Sequence, residues 1–218
     1  FPDDRVVDDV VIAPVIIRGD SWSTGFGVSG QVEHSKERSG AYAFVPVISS
    51  PEDILKIDAN PQVSVDWETT QRNVEILSEL YDGILRVEKR GRDFFWFYPM
   101  DAFITWRGIE QTFIDLIERP EWIHEALERI TQGYLSSIEQ IEALGALSPG
   151  HGNTMLGSGG YGWTDALPQP DFDGSHVRLC DLWGRAATQI FTQGISPAMH
   201  DEFAVQYEKR LLERFGLS

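Results

Sequence analysis

The sequence predicts an α/β protein built on a parallel sheet or a barrel, and three observations carry that expectation. β-Branched and aromatic runs alternate with amphipathic stretches along the whole chain, as strand-then-helix units do. The segment His176–Gly216 reads as one such unit: an apolar run Val177–Leu182 ending at Asp181 and Trp183, a polar loop, and a helix opened by Ser196-Pro197. Between Arg119 and Gly145, apolar residues recur every three or four positions (Ile123, Leu127, Ile130, Tyr134, Ile138, Ile141, Leu144), which marks a long helix lying on an outer layer.

Taken in order, residues 6–17 are rich in valine and isoleucine and read as one or two strands broken at Pro14. Trp22, Phe26 and Val28 read as a strand or loop that buries an aromatic, Glu33–Gly40 as a charged turn, and Ala41–Ile48 as a second strand. Ser50-Pro51-Glu52-Asp53 opens a short helix, with proline where the missing N–H is harmless and acids in the first turn. Asp66 caps a helix running to about Leu80, and Ile84–Glu88 follows as a strand. Phe94–Tyr98 is too densely apolar for a one-sided strand and reads as buried on both faces, leading to a helix that starts near Arg107. After the long helix, Ser148–Gly174 is glycine-rich and aromatic without period, a loop of the kind that often binds or covers a ligand. In the last unit Met199, Phe203, Tyr207, Leu211 and Phe215 form an apolar stripe ended by Gly216.

Composition bounds the function. A chain of 218 residues, 42% apolar and 24% charged, can bury one sizeable core as a single domain. Its formal net charge of −16, from 34 acidic and 18 basic residues, opposes nucleic acid and anionic membrane surfaces. A small-molecule substrate is the expected partner. One cysteine, Cys180, permits no internal disulfide, and a cytoplasmic location is expected. No stretch approaches the roughly 20 apolar residues of a membrane span.

In parallel α/β proteins the chemistry collects beyond the carboxyl ends of the strands. That address selects Asp181 and Trp183 after one apolar run, and Asp101 and Arg107 after the aromatic run. An aspartate there can take or give a proton, and an arginine can hold a carboxylate or phosphate bidentately. Asp101 and Asp181 are therefore the catalytic candidates; Arg107, Asn153, Trp183, Tyr161 and Gln189 are the substrate-binding candidates. Gly157–Gly162 lacks the lysine of a phosphate-binding loop and the strand–helix setting of a dinucleotide fingerprint. His124 and His200 lie on helix faces and are expected to be solvated; His151 opens the glycine-rich loop; no metal-ligand spacing links the histidines.

The run Phe113–His124 (FIDLIERPEWIH), the long helix after it, and Gly194–Phe203 (GISPAMHDEF) through Arg214-Phe215-Gly216 resemble the uroporphyrinogen decarboxylase-like superfamily, from about Pro51 onward. That superfamily also holds corrinoid- and coenzyme M-linked methyltransferases. The resemblance implies a (β/α)8 TIM-barrel fold, incomplete in this chain: one barrel domain spanning 1–218, with 1–50 less regular. A complete barrel takes about 250 residues, so the chain is expected to be part of a longer protein; a fragment with open edges would otherwise be expected to form a homodimer. The decarboxylases' N-terminal arginine motif is missing around Arg5 and Arg18, and Cys180 does not match the methyltransferases' His-x-Cys zinc ligands. A substrate with many carboxylates needs cationic anchors. The expectation is therefore a corrinoid-linked methyl-transfer branch, with uroporphyrinogen decarboxylation or a non-catalytic corrinoid- or partner-binding barrel as alternatives. No cofactor is legible in this chain; zinc, corrinoid and a corrinoid protein are expectations for the full-length protein.

Overall fold

The computed structural model describes residues 10–34, 42–150, 154–157, 160–189, 191 and 194–218. Strands β1 (Val10–Pro14) and β2 (Ile17–Arg18) lead into a short helix α1 (Ser21–Thr24), whose N-terminus is capped by the Asp20 carboxylate accepting from the N–H groups of Trp22 and Ser23. A 3-10 turn over Gly25–Gly27 follows. β3 (Gln31–His34) and β4 (Tyr42–Val45) pair antiparallel. A second 3-10 turn, Pro51–Lys56, carries a capping box between Ser50 and Asp53, and β5 (Ser64–Val65) pairs with β2. Helix α2 (Trp67–Leu80) starts on the Asp66 cap.

β6 (Arg86–Arg90) and β7 (Phe95–Phe97) come next, followed by three helices: α3 (Pro99–Arg107), α4 (Ile109–Glu118) and α5 (Pro120–Ala143). A hairpin of β8 (Thr154–Gly157) and β9 (Gly160–Gly162) interrupts the glycine-rich segment. The last unit is a 3-10 turn (Leu179–Asp181), β10 (Gly184–Ala186), and a helix that runs as α6 (Pro197–His200), a π turn over Asp201–Val205, and α7 (Gln206–Leu212).

Two parallel pairs carry the architecture. β1 lies beside β6, from Val10 opposite Arg86 to Pro14 opposite Arg90, with α2 in the crossover. β7 lies beside β10, with Phe95, Trp96 and Phe97 opposite Gly184, Arg185 and Ala186, and α3 to α5 in the crossover. Single parallel bridges, Arg92 to Leu147 and Trp183 to Leu217, continue the pattern. Among the described residues the protein is mixed α/β with small two-stranded sheets, none of them closed into a barrel. No helix of the described residues is long and apolar enough to cross a membrane.

Helix α5 is the spine of the core. Ile123, Leu127, Ile130, Tyr134, Ile138 and Ile141 are all fully buried, as the three-and-four spacing requires, while Leu144, the last of that stripe, is exposed, and the helix lies in the core rather than on an outer layer. Tyr134 sits at the centre of an aromatic cluster, its ring 4.8 Å from Trp22, 4.7 Å from Phe26 and 5.2 Å from Phe97. Phe215, from the end of the chain, closes the cluster at 5.4 Å from Phe95 and 5.7 Å from Phe97. Gly184 makes that closure possible, because a Cβ there would meet the Phe215 ring at 2.5 Å.

Five readings of the sequence need correction. Val177–Leu182 is not a strand: its backbone turns at Leu179–Asp181 because the Asp181 carboxylate draws in local N–H groups, and the strand is the small and polar Gly184–Ala186. Trp22 stands on a capped helix, not on a strand. Arg107 ends a helix instead of opening one, since Pro99 sets the start of α3 and Gly108, at φ 86°, separates it from α4. The stretch after the long helix is not all loop, since the β8–β9 hairpin lies within it. His124 and His200 are half-buried instead of solvated: the His124 ring stacks on Phe203 at 4.8 Å with its Nδ1 2.7 Å from the Tyr207 hydroxyl, and the His200 ring meets Phe191 edge-on at 6.0 Å.

The helical layer is tied by a buried ion-pair network. Asp115 on α4 is fully buried and bonds Arg107 Nε at 2.7 Å, Gln111 at 3.1 Å and Arg119, while Arg107 Nη1 donates to the carbonyls of Ile48 and Ser49 at 3.0 and 3.1 Å. Burial would raise the Asp115 carboxyl, but Arg107, Gln111 and Arg119 outweigh it and hold the group below the usual carboxylate range. Removing one partner strands the other charge. Asp115→Ala is expected to cost about 3–5 kcal/mol, read as a fall in the urea midpoint; an unchanged midpoint would show that the network does not anchor α3 and α4.

Candidate functional site

The two strands of the central parallel pair end side by side, and the residues that follow them meet. β7 alternates: Phe95 and Phe97 point at α5, and Trp96 is half-buried on the other face. The chain then reaches Pro99, which opens α3, and Asp101 falls in that helix's first turn, where the positive end of the dipole favours a carboxylate. Beside it, the N–H of Ala187 bonds the Phe97 carbonyl at 3.1 Å and extends the ladder past β10. Two residues on, the Gln189 N–H donates to both oxygens of Asp101, at 3.1 and 2.9 Å. Two candidates that lie 88 residues apart are thus joined at the carboxyl ends of adjacent parallel strands.

A second carboxylate completes the site. Glu208 of α7 is almost entirely buried and accepts from the Thr188 hydroxyl at 2.8 Å, so consecutive residues of the loop after β10 hold one acid each. Burial raises the Glu208 carboxyl, and Asp101 adds to that; the Thr188 bond and His200 pull the other way, and the net shift is upward. Behind the pair, burial together with the nearby Tyr98 and Asp101 drives the Tyr134 phenol well above its ordinary range. The arrangement offers a carboxyl raised by burial and by the charge of Asp101, together with a carboxylate that accepts hydrogen bonds, the kind of pairing that acid–base chemistry uses.

The other candidates occupy different positions. Arg107 belongs to the Asp115 network described above. Asp181 is fully buried ahead of β10, not beyond its carboxyl end, and accepts from the N–H groups of Gln169 and Arg178, both at 3.0 Å, and from Arg178 Nε at 2.9 Å. Burial would raise its carboxyl; the Arg178 side chain and the two N–H groups outweigh it and lower it. Asp181 fixes the turn before β10, with Arg178 also clamping Asp171 at 2.7 and 2.9 Å. Trp183 is half-buried and bridges to Leu217. Tyr161 lies in β9, and Asn153, like His151, lies outside the described residues.

Zinc finds no seat among the described residues: no three histidine, cysteine, aspartate or glutamate side chains gather as a ligand set. Burial and the Asp181 charge raise the Cys180 thiol, which is the wrong direction for a thiolate ligand. A wide groove of about 1290 Å3 lies elsewhere, between α5, α7 and residues 59–62, and its Glu139 and Arg214 are already paired at 3.0 Å.

Sequence reasoning missed Glu208. The signal was present: Ala204, Glu208, Leu211 and Phe215 are spaced four, three and four, which puts an acid on a buried flank of the apolar stripe. Compared with known protein families, with curated proteins and with solved structures, the chain gives no match. The class that fold and site define is a mixed α/β protein with a two-carboxyl site at the end of a parallel strand pair.

The raised Glu208 carboxyl fixes the sign of a pH effect. A proton held more tightly in the folded state than in the unfolded one, where the ordinary value is 4.5, adds stability at low pH that disappears as pH rises through the folded pKa. Glu208→Gln should therefore gain melting temperature relative to the parent protein at pH 8 compared with pH 4. Parallel melting curves at both values would contradict the assignment.

Proposed function

We propose that the chain is an enzyme domain of the barrel-forming uroporphyrinogen decarboxylase-like superfamily, acting on a small molecule in a corrinoid-linked methyl-transfer branch. The observation that carries the reading is the junction of Asp101 with Gln189 just past two neighbouring parallel strands, the address at which α/β enzymes keep their chemistry. The resemblance of Phe113–His124 and Gly194–Gly216 to the superfamily supports the barrel and the reaction class. The absence of an arginine cluster around Arg5 and Arg18 argues against a substrate with many carboxylates.

A corrinoid, when bound, supplies the methyl acceptor or donor. The residues of this chain manage the proton. A methyl group leaves a sulfur or nitrogen more readily when that heteroatom receives a hydrogen bond or a proton. Glu208, whose carboxyl is raised by burial, is the group assigned to give that proton, and Asp101, held by the Gln189 N–H, orients the substrate's polar end.

The test is methyl transfer by the full-length protein from methylated thiols and amines to reduced cobalamin, followed by absorbance. Asp101→Asn is expected to lower the rate about 100-fold with folding intact by circular dichroism. Release of carbon dioxide from uroporphyrinogen would replace the reading with decarboxylation, and inertness in both assays would make the domain a binding module.

A further inference from the structure

We infer that Arg185 is the seat of a small-molecule carboxylate on the face of the central strand pair turned away from α5. This deepens the reading above by naming a ligand class, and it rests on that reading only for the expectation that the ligand is small. Arg185 lies at the middle of β10, directly opposite Trp96 of β7. Partners opposite one another project to the same side, and here that side is not the core side taken by Phe95 and Phe97. The Arg185 guanidinium carbon lies 5.5 Å from the Trp96 ring centre and 5.7 Å from that of Phe94. The two rings meet edge to face at 6.5 Å and 77°, so the guanidinium is held in an aromatic corner.

What sets this arginine apart is a buried guanidinium nitrogen with no acceptor. Arg107 has Asp115, Arg178 has Asp171 and Asp181, Arg210 has Glu128, and Arg92 has Asp20. Arg185 forms no ion pair among the described residues, and its Nη1 is buried without a hydrogen-bond partner. A buried N–H left without an acceptor is costly, and natural proteins keep few of them. The planar fork of guanidinium N–H groups matches the two oxygens of a carboxylate. Phosphate offers oxygens too. A chain of net charge −16 opposes a doubly charged anion more than a singly charged one, and this favours the carboxylate.

The position also suits the site. Arg185 precedes Thr188 and Gln189, the residues that hold Glu208 and Asp101, on the same run of chain.

Benzoate and inorganic phosphate serve as probes, titrated separately into the full-length protein at constant ionic strength. Binding is read by calorimetry and by the NMR signal of the Arg185 Nε–H. The expected result is a saturable benzoate shift at Arg185, weakened at least 10-fold in Arg185→Met and about 3- to 10-fold in Arg185→Lys, with phosphate weaker throughout. Asp101→Asn should keep benzoate binding while losing methyl transfer, so that failure of the seat and failure of the proposed reaction are told apart. No saturable shift in the unaltered protein, undiminished binding by folded Arg185→Met, or tighter binding of phosphate than of benzoate each overturns the assignment. Should Arg185→Met fail to fold, the Arg185→Lys comparison and the NMR shift of the unaltered protein decide.

Discussion

The contact on which the rest of the structure depends is the packing of α5 against one face of β7. Tyr134 lies edge-on to Phe97 at 5.2 Å, and Phe215 returns from the end of the chain to lie against both Phe95 and Phe97. Large aromatic side chains bury so much apolar surface that this cluster outweighs any single polar contact in the protein. It also fixes direction. With Phe95 and Phe97 committed to the helix layer, strand alternation turns Trp96 and its partner Arg185 to the opposite face. Because Phe215 can reach the strands only across Gly184, the same cluster brings β10 alongside β7 and so brings the loop carrying Thr188 and Gln189 beside α3.

Around this frame the charged groups divide into two kinds. Asp115 and Asp181 are buried and saturated: each has a guanidinium partner and further N–H donors, and for each the partners outweigh the cost of burial. Charges of that kind are bound up in structure, one joining α3, α4 and the 48–49 loop, the other closing the turn before β10. Glu208 and Arg185 are the opposite. Burial dominates at Glu208, and Arg185 has a hidden Nη1 with no acceptor. Folding alone gives no reason to keep a polar group in such a setting, where an apolar side chain of similar size would serve.

The distinction explains what could be read from the chain and what could not. Helix α5, the Asp66 cap and the Ser196-Pro197 start were legible because each is local: a period of three and four, or a capping residue followed by a proline. The strand of the last unit was misplaced because the apolar run Val177–Leu182 looked stronger than Gly184–Ala186. Its hydrophobicity is used instead to bury Leu179 and Leu182 on either side of a turn held by Asp181. Asp101 and Gln189 were each legible from their setting after an apolar or polar stretch, yet nothing local announces a bond across 88 residues. Arg107 and Asp181 shared the same apparent setting, and only their partners show that they hold the fold together. Arg185 was overlooked because it fell in what reads as a polar loop, and its aromatic neighbours, Phe94 and Trp96, come from a distant part of the chain.

The placement of a cation on this face has a further physical consequence. At net charge −16 the protein as a whole repels anions. Salt screens that repulsion beyond roughly 8–10 Å, so what an arriving ligand meets at short range is set by the nearest groups. Phe94 and Trp96 remove water from one side of the Arg185 guanidinium, which strengthens its attraction for an acceptor in contact while leaving the distant field negative. Such a site discriminates by shape and by single charge. A ligand carrying one carboxylate and an apolar body gains most on contact.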